Sequence, residues 1–182
     1  LHDVAGLAEL AADLGVDLKF SPLRPVGRAL AELQDILPRP QDYVGVVKAV
    51  SALRMKYPTI RILTDFDILD ACQESFAVTH AGTACGAGRV MVNISASGDV
   101  YPCAFFVTPD RRFSAGNLHR ESLGEIWRSS PVFEPFRVHS KAPECQSCAH
   151  YRNRCAGGCP AIGHFQRGAL DALDPTCFAH LV

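Results

Sequence analysis

Apolar and polar positions follow two different periods along the first third of the chain. Helical spacing predicts helices over His2–Leu14, Arg28–Leu37 and Asp42–Tyr57, and alternating spacing predicts strands over Val16–Phe20 and Ile60–Thr64. Helices that alternate with strands are typical of an α/β sheet with parallel strands. Two strands cannot form such a sheet alone, so we expect this segment to be the closing part of a larger α/β unit.

The pattern changes after residue 71, and small residues become frequent at Ala81–Gly88. Such a loop lets the backbone approach a bulky group closely. Alternation then predicts a β-hairpin, with strands over Arg89–Ser95 and Val100–Phe106 joined by a turn. The remaining predicted elements are two helices, one that starts near Glu121 and one over Ala161–Arg167.

Composition places the chain among ordinary globular proteins. Its 182 residues are 48% hydrophobic and 20% charged, which is enough apolar material for one sizeable domain or two small ones. The net charge of −1 offers no basic face for nucleic acid, and no run of apolar residues is long enough to span a membrane. No leader is visible, so we expect a cytoplasmic protein. The chain begins at Leu1, which we interpret as the start of a fragment.

Cysteine is the residue type that carries candidate chemistry, with eight in the chain. Four follow the spacing C-x2-C-x6-C-x3-C and precede Pro160, and three more stand apart from this run. The four are Cys145, Cys148, Cys155 and Cys159, and the three are Cys85, Cys103 and Cys177. Thiolates grouped in this way bind a metal ion or an iron–sulfur cluster.

Three interpretations of the cysteines remain open at this point. Disulfides suit small secreted domains, whereas this chain is larger and shows no leader. Zinc sites need tetrahedral groups of four ligands. Iron–sulfur clusters also take four thiolates, and they tolerate three when one iron stays open. Seven sulfurs in this order fit clusters better than two zinc sites.

The order of the cysteines and several short sequence motifs resemble the SPASM domain of radical S-adenosylmethionine enzymes. The motifs are GDVYPC at 98–103, GNL at 116–118, SLGEIW at 122–127, CAGGCPA at 155–161 and DPTC at 174–177. The likeness runs from Cys85 to Cys177, about half the chain. Six residues separate Cys148 from Cys155, where the family usually has five.

The resemblance implies a division of the chain into two parts. Residues 1–71 would be the end of the partial (β/α)6 TIM-like barrel of a radical S-adenosylmethionine enzyme. Residues 72–182 would be a small α+β SPASM domain, with a β-hairpin and a cysteine-rich region of helices and loops. The family's CxxxCxxC motif, which holds the catalytic 4Fe–4S cluster, is absent from the chain. We therefore expect that this chain alone does not generate a radical.

The resemblance also implies two auxiliary 4Fe–4S clusters. The inner cluster would use Cys85, Cys103 and Cys159, and the outer cluster would use Cys145, Cys148, Cys155 and Cys177. Cys72 is a candidate fourth ligand of the inner cluster, and a buried apolar role is its alternative. Some relatives have a further cysteine where this chain has Met91, so the inner cluster could keep an open iron.

The whole enzyme implied by the resemblance is an oxidoreductase that matures a peptide or protein through a 5′-deoxyadenosyl radical. It would use S-adenosylmethionine, a catalytic 4Fe–4S cluster and an electron donor such as flavodoxin or ferredoxin. Two other functions stay open. One is a stand-alone iron–sulfur module for electron transfer or recognition, and the other is a radical enzyme that acts on a small molecule such as a tetrapyrrole.

A few other residues have both a chemical and a structural interpretation. Arg24 and Leu63 could contact S-adenosylmethionine at the ends of barrel strands, or serve in loop packing and in the core. Asp65 and Asp67 follow a strand, where they could bind a ligand or cap the next helix. The remaining residues are expected to have structural roles: Trp127 in the core, and His139, His150 and His164 at the surface or in hydrogen bonds.

Overall fold

The computed structural model of the chain describes residues 3–64, 85–138, 141–151, 155 and 157–178. The helices are α1 (Val4–Leu14), α2 (Arg28–Glu32), α3 (Pro40–Lys56), α4 (Leu123–Ser129), α5 (Glu134–Arg137), α6 (Pro143–Gln146) and α7 (Pro160–Arg167). The strands are β1 (Leu18–Phe20), β2 (Ile62–Thr64), β3 (Asn93–Ile94), β4 (Asp99–Tyr101) and β5 (Gly116–Asn117). Short 3-10 helices lie at Gln34–Ile36, Ala104–Phe106 and Pro131–Phe133. This is a mixed α/β fold with two small sheets.

The first segment, residues 3–64, contains the predicted pair of parallel strands. β1 and β2 pair in parallel, with Leu18 opposite Ile62, and α1 and α3 pack on this pair. Asp17 and Arg61 form an exposed ion pair at 2.6 Å that joins the starts of the two strands. The buried core consists of apolar side chains from both helices and from β2: Ala8, Ala11, Val50, Leu53, Ile60 and Ile62.

Helix α1 ends where the sequence predicts. Gly15 adopts a left-handed conformation with φ +66°, and its N–H donates to the carbonyl oxygens of the last turn. The buried side of α1 consists of small residues, whereas Leu7, Leu10 and Leu14 are 46%, 54% and 66% exposed. The large apolar side chains of this helix therefore form an exposed stripe.

Two predicted elements of the first segment have different bounds. The helix over 28–37 is divided into α2 and the 3-10 helix Gln34–Ile36, because Leu33 leaves the helical region with φ −121°. Helix α3 starts at Pro40, two residues before Asp42, with proline at the first helical position. The carboxylate of Asp42 accepts the backbone N–H of Arg39 at 2.8 Å and closes this end.

The second segment contains an antiparallel sheet in the order β3-β4-β5. The predicted hairpin is confirmed, with Asn93 opposite Tyr101. Its strands are shorter than predicted, because Gly86–Met91 forms a turn that leaves Val90 84% exposed. The returning strand ends at Tyr101, since Pro102 has no N–H to continue the ladder. Cys103 therefore lies after β4 and not within it.

Strand β5 was not predicted from the sequence. Its pairing with β4 places Gly116 against the side chain of Ile126, where an added Cβ would lie 2.8 Å from Ile126 Cγ1. Ser122 is the N-cap residue of helix α4, and its hydroxyl accepts the N–H of Glu125. Val100, Ile126 and Phe133 form the core beneath this sheet. None of the helices in the described parts of the chain has the length and apolar character needed to cross a membrane.

Candidate metal centre

Three cysteines, defined as the inner group, lie against one apolar cluster. Cys85, Cys103 and Cys159 all pack on the core built from Ala87, Phe106, Phe136 and Ala161. Each comes from a different element: Cys85 precedes the sheet, Cys103 opens the 3-10 helix after β4, and Cys159 is the N-cap residue of α7. The fold thus gathers three sulfurs that are up to 74 residues apart in the sequence, from 85 to 159.

The thiols of the inner group are close enough to affect one another. Burial raises the pKa of Cys103 to about 11, and negative charge on Cys159 and Cys85 would raise it further. Backbone N–H groups of Phe105 and Phe106 act in the opposite direction, because they donate to the Cys103 sulfur. The sulfur of Cys159 is also half-buried, and burial raises its pKa.

Helix α7 and Arg24 both favour negative charge on Cys159. The N–H groups of Ile162 and Ala161, in the first turn of α7, donate to its sulfur and lower its pKa. The positive charge of Arg24 acts in the same direction. The site therefore combines low water access with donors directed at sulfur, which is a suitable environment for a thiolate ligand.

The other four cysteines, defined as the outer group, surround a second point. Cys145 lies on α6, and the Cys148 N–H donates to its carbonyl oxygen at 3.0 Å. Cys155 and Cys177 pack on a separate apolar pair, Tyr43 and Phe178. Burial raises the pKa of Cys145 to about 11, with contributions from Cys177, Cys155 and Cys148. All three of these thiols are therefore electrostatic neighbours of Cys145.

Two glycines lie between Cys155 of the outer group and Cys159 of the inner group. Gly157 and Gly158 adopt φ +85° and +78°, a conformation that side chains rarely allow. A Cβ at Gly157 would lie 2.7 Å from Lys141 Cγ, and one at Gly158 would lie 2.3 Å from Asp174 Cβ. The Gly157 N–H donates to the Cys155 sulfur at 3.3 Å. This turn leaves Cys155 in the outer group and brings Cys159 to the inner group.

Asp174 joins the two groups and was not predicted to have a role. It is 2% exposed, and its carboxylate accepts the backbone N–H of Cys159 at 2.8 Å. The same carboxylate accepts the N–H and the hydroxyl of Thr176, and its own carbonyl oxygen accepts the Cys177 N–H at 3.0 Å. The sequence signal that could have indicated Asp174 was its place in the DPTC motif. Lys141, which is 3% exposed beside Gly157, had no such signal.

The seven thiols are of the residue type that holds iron–sulfur clusters, in which each sulfur binds a different iron. No disulfide joins any of the seven cysteines that the structure describes. N–H donors to sulfur, as found at Cys103, Cys155 and Cys159, are a usual feature of cluster sites.

The structure places the other candidate residues in different environments. The guanidinium of Arg24 lies 5.5 Å from the ring centre of Phe105 and near Cys159, so this residue is adjacent to the inner group. Leu63, in the middle of β2, is 43% exposed. His164 stacks edge-on against Phe113 at 4.9 Å, and burial lowers its pKa. Cys72, Asp65, Asp67 and His139 lie outside the described residues.

Both cysteine groups contact the first segment of the chain. Val26 packs on the apolar cluster of the inner group, and Tyr43 from α3 packs beside the outer group. Burial raises the pKa of Tyr43 to about 12, and the charge of Asp174 adds to this rise. The cysteine-rich region is therefore attached to the α/β segment on the side of α3.

A family model matches part of this cysteine-rich region. Residues 85–149 match the model of the SPASM family, an iron–sulfur cluster-binding domain. This match confirms the predicted resemblance for the part of the chain that contains Cys85, Cys103, Cys145 and Cys148. The other three cysteines of the two groups lie beyond the matched residues.

Individual relatives extend the similarity over nearly the whole chain. The chain is 33% identical over 181 residues to the mycofactocin maturase MftC of Mycobacterium ulcerans, covering 97% of this chain and 47% of the relative. It is 29% identical over 180 residues to the PqqA peptide cyclase of Methylobacterium sp., covering 97% and 45%. The solved structure of native anSMEcpe with bound AdoMet and Cp18Cys peptide matches with a TM-score of 0.58 and 20% identity, covering 90% and 46%. The chain thus spans about half the length of these relatives.

Proposed function

We propose that the seven cysteines hold two auxiliary 4Fe–4S clusters, with Cys85, Cys103 and Cys159 at the inner one and Cys145, Cys148, Cys155 and Cys177 at the outer one. The observation that carries this proposal is the separation of the sulfurs into groups of three and four. The chain passes from the outer group to the inner group at Gly157 and Gly158. When bound, such clusters supply one-electron transfer and, at an open iron, a position for a substrate atom.

The protein residues around each group have supporting roles. Apolar side chains such as Phe106 and Phe136 keep water from the inner group, and Phe178 does so at the outer group. N–H groups of the α7 first turn stabilise negative charge on the Cys159 sulfur. The carboxylate of Asp174 orients the Cys159 backbone. Together these contacts fix the sulfur positions before any cofactor is bound.

We further propose that residues 1–71 form the end of a partial (β/α)6 barrel and residues 72–182 a SPASM domain. Two features of the first segment support the barrel. A two-stranded parallel sheet has open edges that further strands would cover. The exposed stripe of Leu7, Leu10 and Leu14 on α1 would also be covered by a further element. The fold similarity over 90% of the chain is consistent with this division.

The whole protein, in this proposal, is a radical S-adenosylmethionine oxidoreductase that modifies a peptide or protein. The names of the relatives support the substrate class, because they are a maturase and a peptide cyclase. An electron donor such as flavodoxin or ferredoxin would reduce the whole protein in the cytoplasm, where cysteines remain available as ligands. Leu63, exposed in the middle of β2, and Arg24, close to Cys159, remain our candidates for S-adenosylmethionine contacts.

A stand-alone iron–sulfur module is the second candidate function, because the two cysteine groups of this chain could hold their clusters without a catalytic cluster. Anaerobic reconstitution of the chain should give about eight irons per chain in either case. The reconstituted chain, mixed with S-adenosylmethionine and a reductant, should release no 5′-deoxyadenosine. A longer form of the protein that contains a CxxxCxxC motif should release it and should change the mass of a peptide substrate. Appreciable 5′-deoxyadenosine from this chain alone would contradict the proposal.

A further inference from the structure

Lys141 is a buried cation in the middle of the cysteine region. It is 3% exposed, although lysine is among the residues least often buried without a partner. Its Nζ donates to the carbonyl oxygen of Leu170 at 3.2 Å. Among the residues that the structure describes, no carboxylate lies within salt-bridge distance of this ammonium. A buried ammonium with only a neutral acceptor indicates that an anion belongs nearby.

Neighbouring contacts fix the position of Lys141. Its carbonyl oxygen accepts the side-chain amide of Gln146 at 2.8 Å, and the next residue, Ala142, donates its N–H to Asp171 at 2.8 Å. The aliphatic part of the side chain crosses Gly157, since an added Cβ there would lie 2.7 Å from Lys141 Cγ and 3.1 Å from Cδ. The same Gly157 donates its N–H to the Cys155 sulfur. The Lys141 side chain therefore packs against Gly157, whose N–H contacts the Cys155 sulfur of the outer group.

Lys141 lies beside the outer group through its aliphatic stem, which packs on Gly157, whose N–H donates to the Cys155 sulfur. Burial raises the pKa of the Cys145 thiol, and the positive charge of Lys141 acts in the opposite direction. A four-iron cluster held by four thiolates is an anion and gains further negative charge on reduction. A buried positive charge beside it stabilises the reduced form more than the oxidised form.

We propose that Lys141 is the buried counter-charge of the outer cluster and raises its reduction potential. This rests on the proposed function, because it requires a cluster at Cys145, Cys148, Cys155 and Cys177. Lys141 also lines a cavity of about 240 Å³ together with Cys85, so its effect on the inner cluster has to be measured separately.

The test is a redox titration of the reconstituted chain, followed by the electron paramagnetic resonance of each reduced cluster. Cys145→Ser and Cys103→Ser first assign the two signals. Lys141→Met keeps the aliphatic packing on Gly157 and removes the charge. We expect the ratio of reduced to oxidised outer cluster at a fixed potential to fall at least tenfold, which is a shift of about 59 mV for one electron. The inner signal should change less, and Lys48→Met, at an exposed site on α3, should change neither.

Each outcome decides the proposal. An unchanged outer potential in Lys141→Met with full iron content would overturn it. If Lys141→Met does not retain the outer cluster, Lys141→Arg distinguishes charge from packing. An outer cluster that is retained in Lys141→Arg, with a potential near that of the unaltered chain, supports the counter-charge. Loss of the outer cluster in Lys141→Arg shows a packing role and overturns the proposal. If Cys145→Ser removes no signal in the first place, the proposed cluster is absent and the failure lies in the proposed function.

Discussion

Removal of the Asp174 carboxylate should weaken both cysteine groups at once. In Asp174→Ala, the N–H groups of Cys159 and Thr176 lose their acceptor in a site that is 2% exposed. Each buried donor left without an acceptor costs about 1–3 kcal/mol, so the loss for these two donors is roughly 2–6 kcal/mol in the free energy of unfolding. A domain of this size has a total of only about 5–15 kcal/mol. Asp174→Asn keeps one acceptor oxygen and should lose about half as much.

The assay is iron per chain after anaerobic reconstitution, together with urea unfolding of the same samples. We expect Asp174→Ala to lose iron from both clusters, because the carboxylate accepts the backbone N–H of Cys159 on one side and that of Thr176, next to Cys177, on the other. Asp171→Ala is the matched control: it removes a carboxylate from the same loop, but that side chain is exposed. If Asp174→Ala retained the iron content and the unfolding midpoint of the unaltered chain, the proposed role of the Asp174 carboxylate in holding both cysteine groups would be refuted.

Three further predictions concern single residues. Gly158→Ala should abolish loading of at least one cluster. Its control is Gly168→Ala, at a similar φ of +81° with open space around it, which should cost only about 1–2 kcal/mol of strain and leave the iron content of the chain unchanged. Equal losses of iron in the two variants would contradict the steric argument. Hydrogen bonds, first from Asn117, lower the pKa of Asp99 from 3.8 to about 2, so its contribution to stability should be lost as pH falls from about 4 to 2. The melting temperature of Asp99→Asn should therefore fall less over that range, and an identical pH profile would refute this. Cys72→Ser should leave iron per chain unchanged if Cys72 is an apolar residue, and loss of inner iron would make it a ligand.

Local sequence signals predicted the elements whose ends are set by one residue. Helix α1 ends at Gly15 because its left-handed conformation is easily reached only by glycine. The hairpin turn is similarly determined by Gly98, at φ +79°. The predicted strand around Val90 was wrong, because alternation of apolar residues cannot distinguish a strand from a turn such as Gly86–Met91.

The candidate site was predictable in its residue types but not in its supporting contacts. Spacing and motif order indicated the seven cysteines. The contacts of Asp174 and Lys141 join residues 15 and 29 positions apart, and the pairing is decided by tertiary packing around the glycine turn. No periodicity in the sequence reports such a contact. The same reason explains why the position of Arg24 close to Cys159 was not predicted.

The most direct test of the central claim is iron per chain in seven single Cys→Ser variants, with the cluster type determined by Mössbauer spectroscopy. The account predicts about eight irons in the unaltered chain and two separate classes of loss. Changes at Cys85, Cys103 or Cys159 should affect one cluster, and changes at Cys145, Cys148, Cys155 or Cys177 should affect the other. The informative pair is Cys155 and Cys159, which should fall in different classes despite their closeness in the sequence. If both affected the same cluster, or if the loaded chain contained zinc, the account would be contradicted.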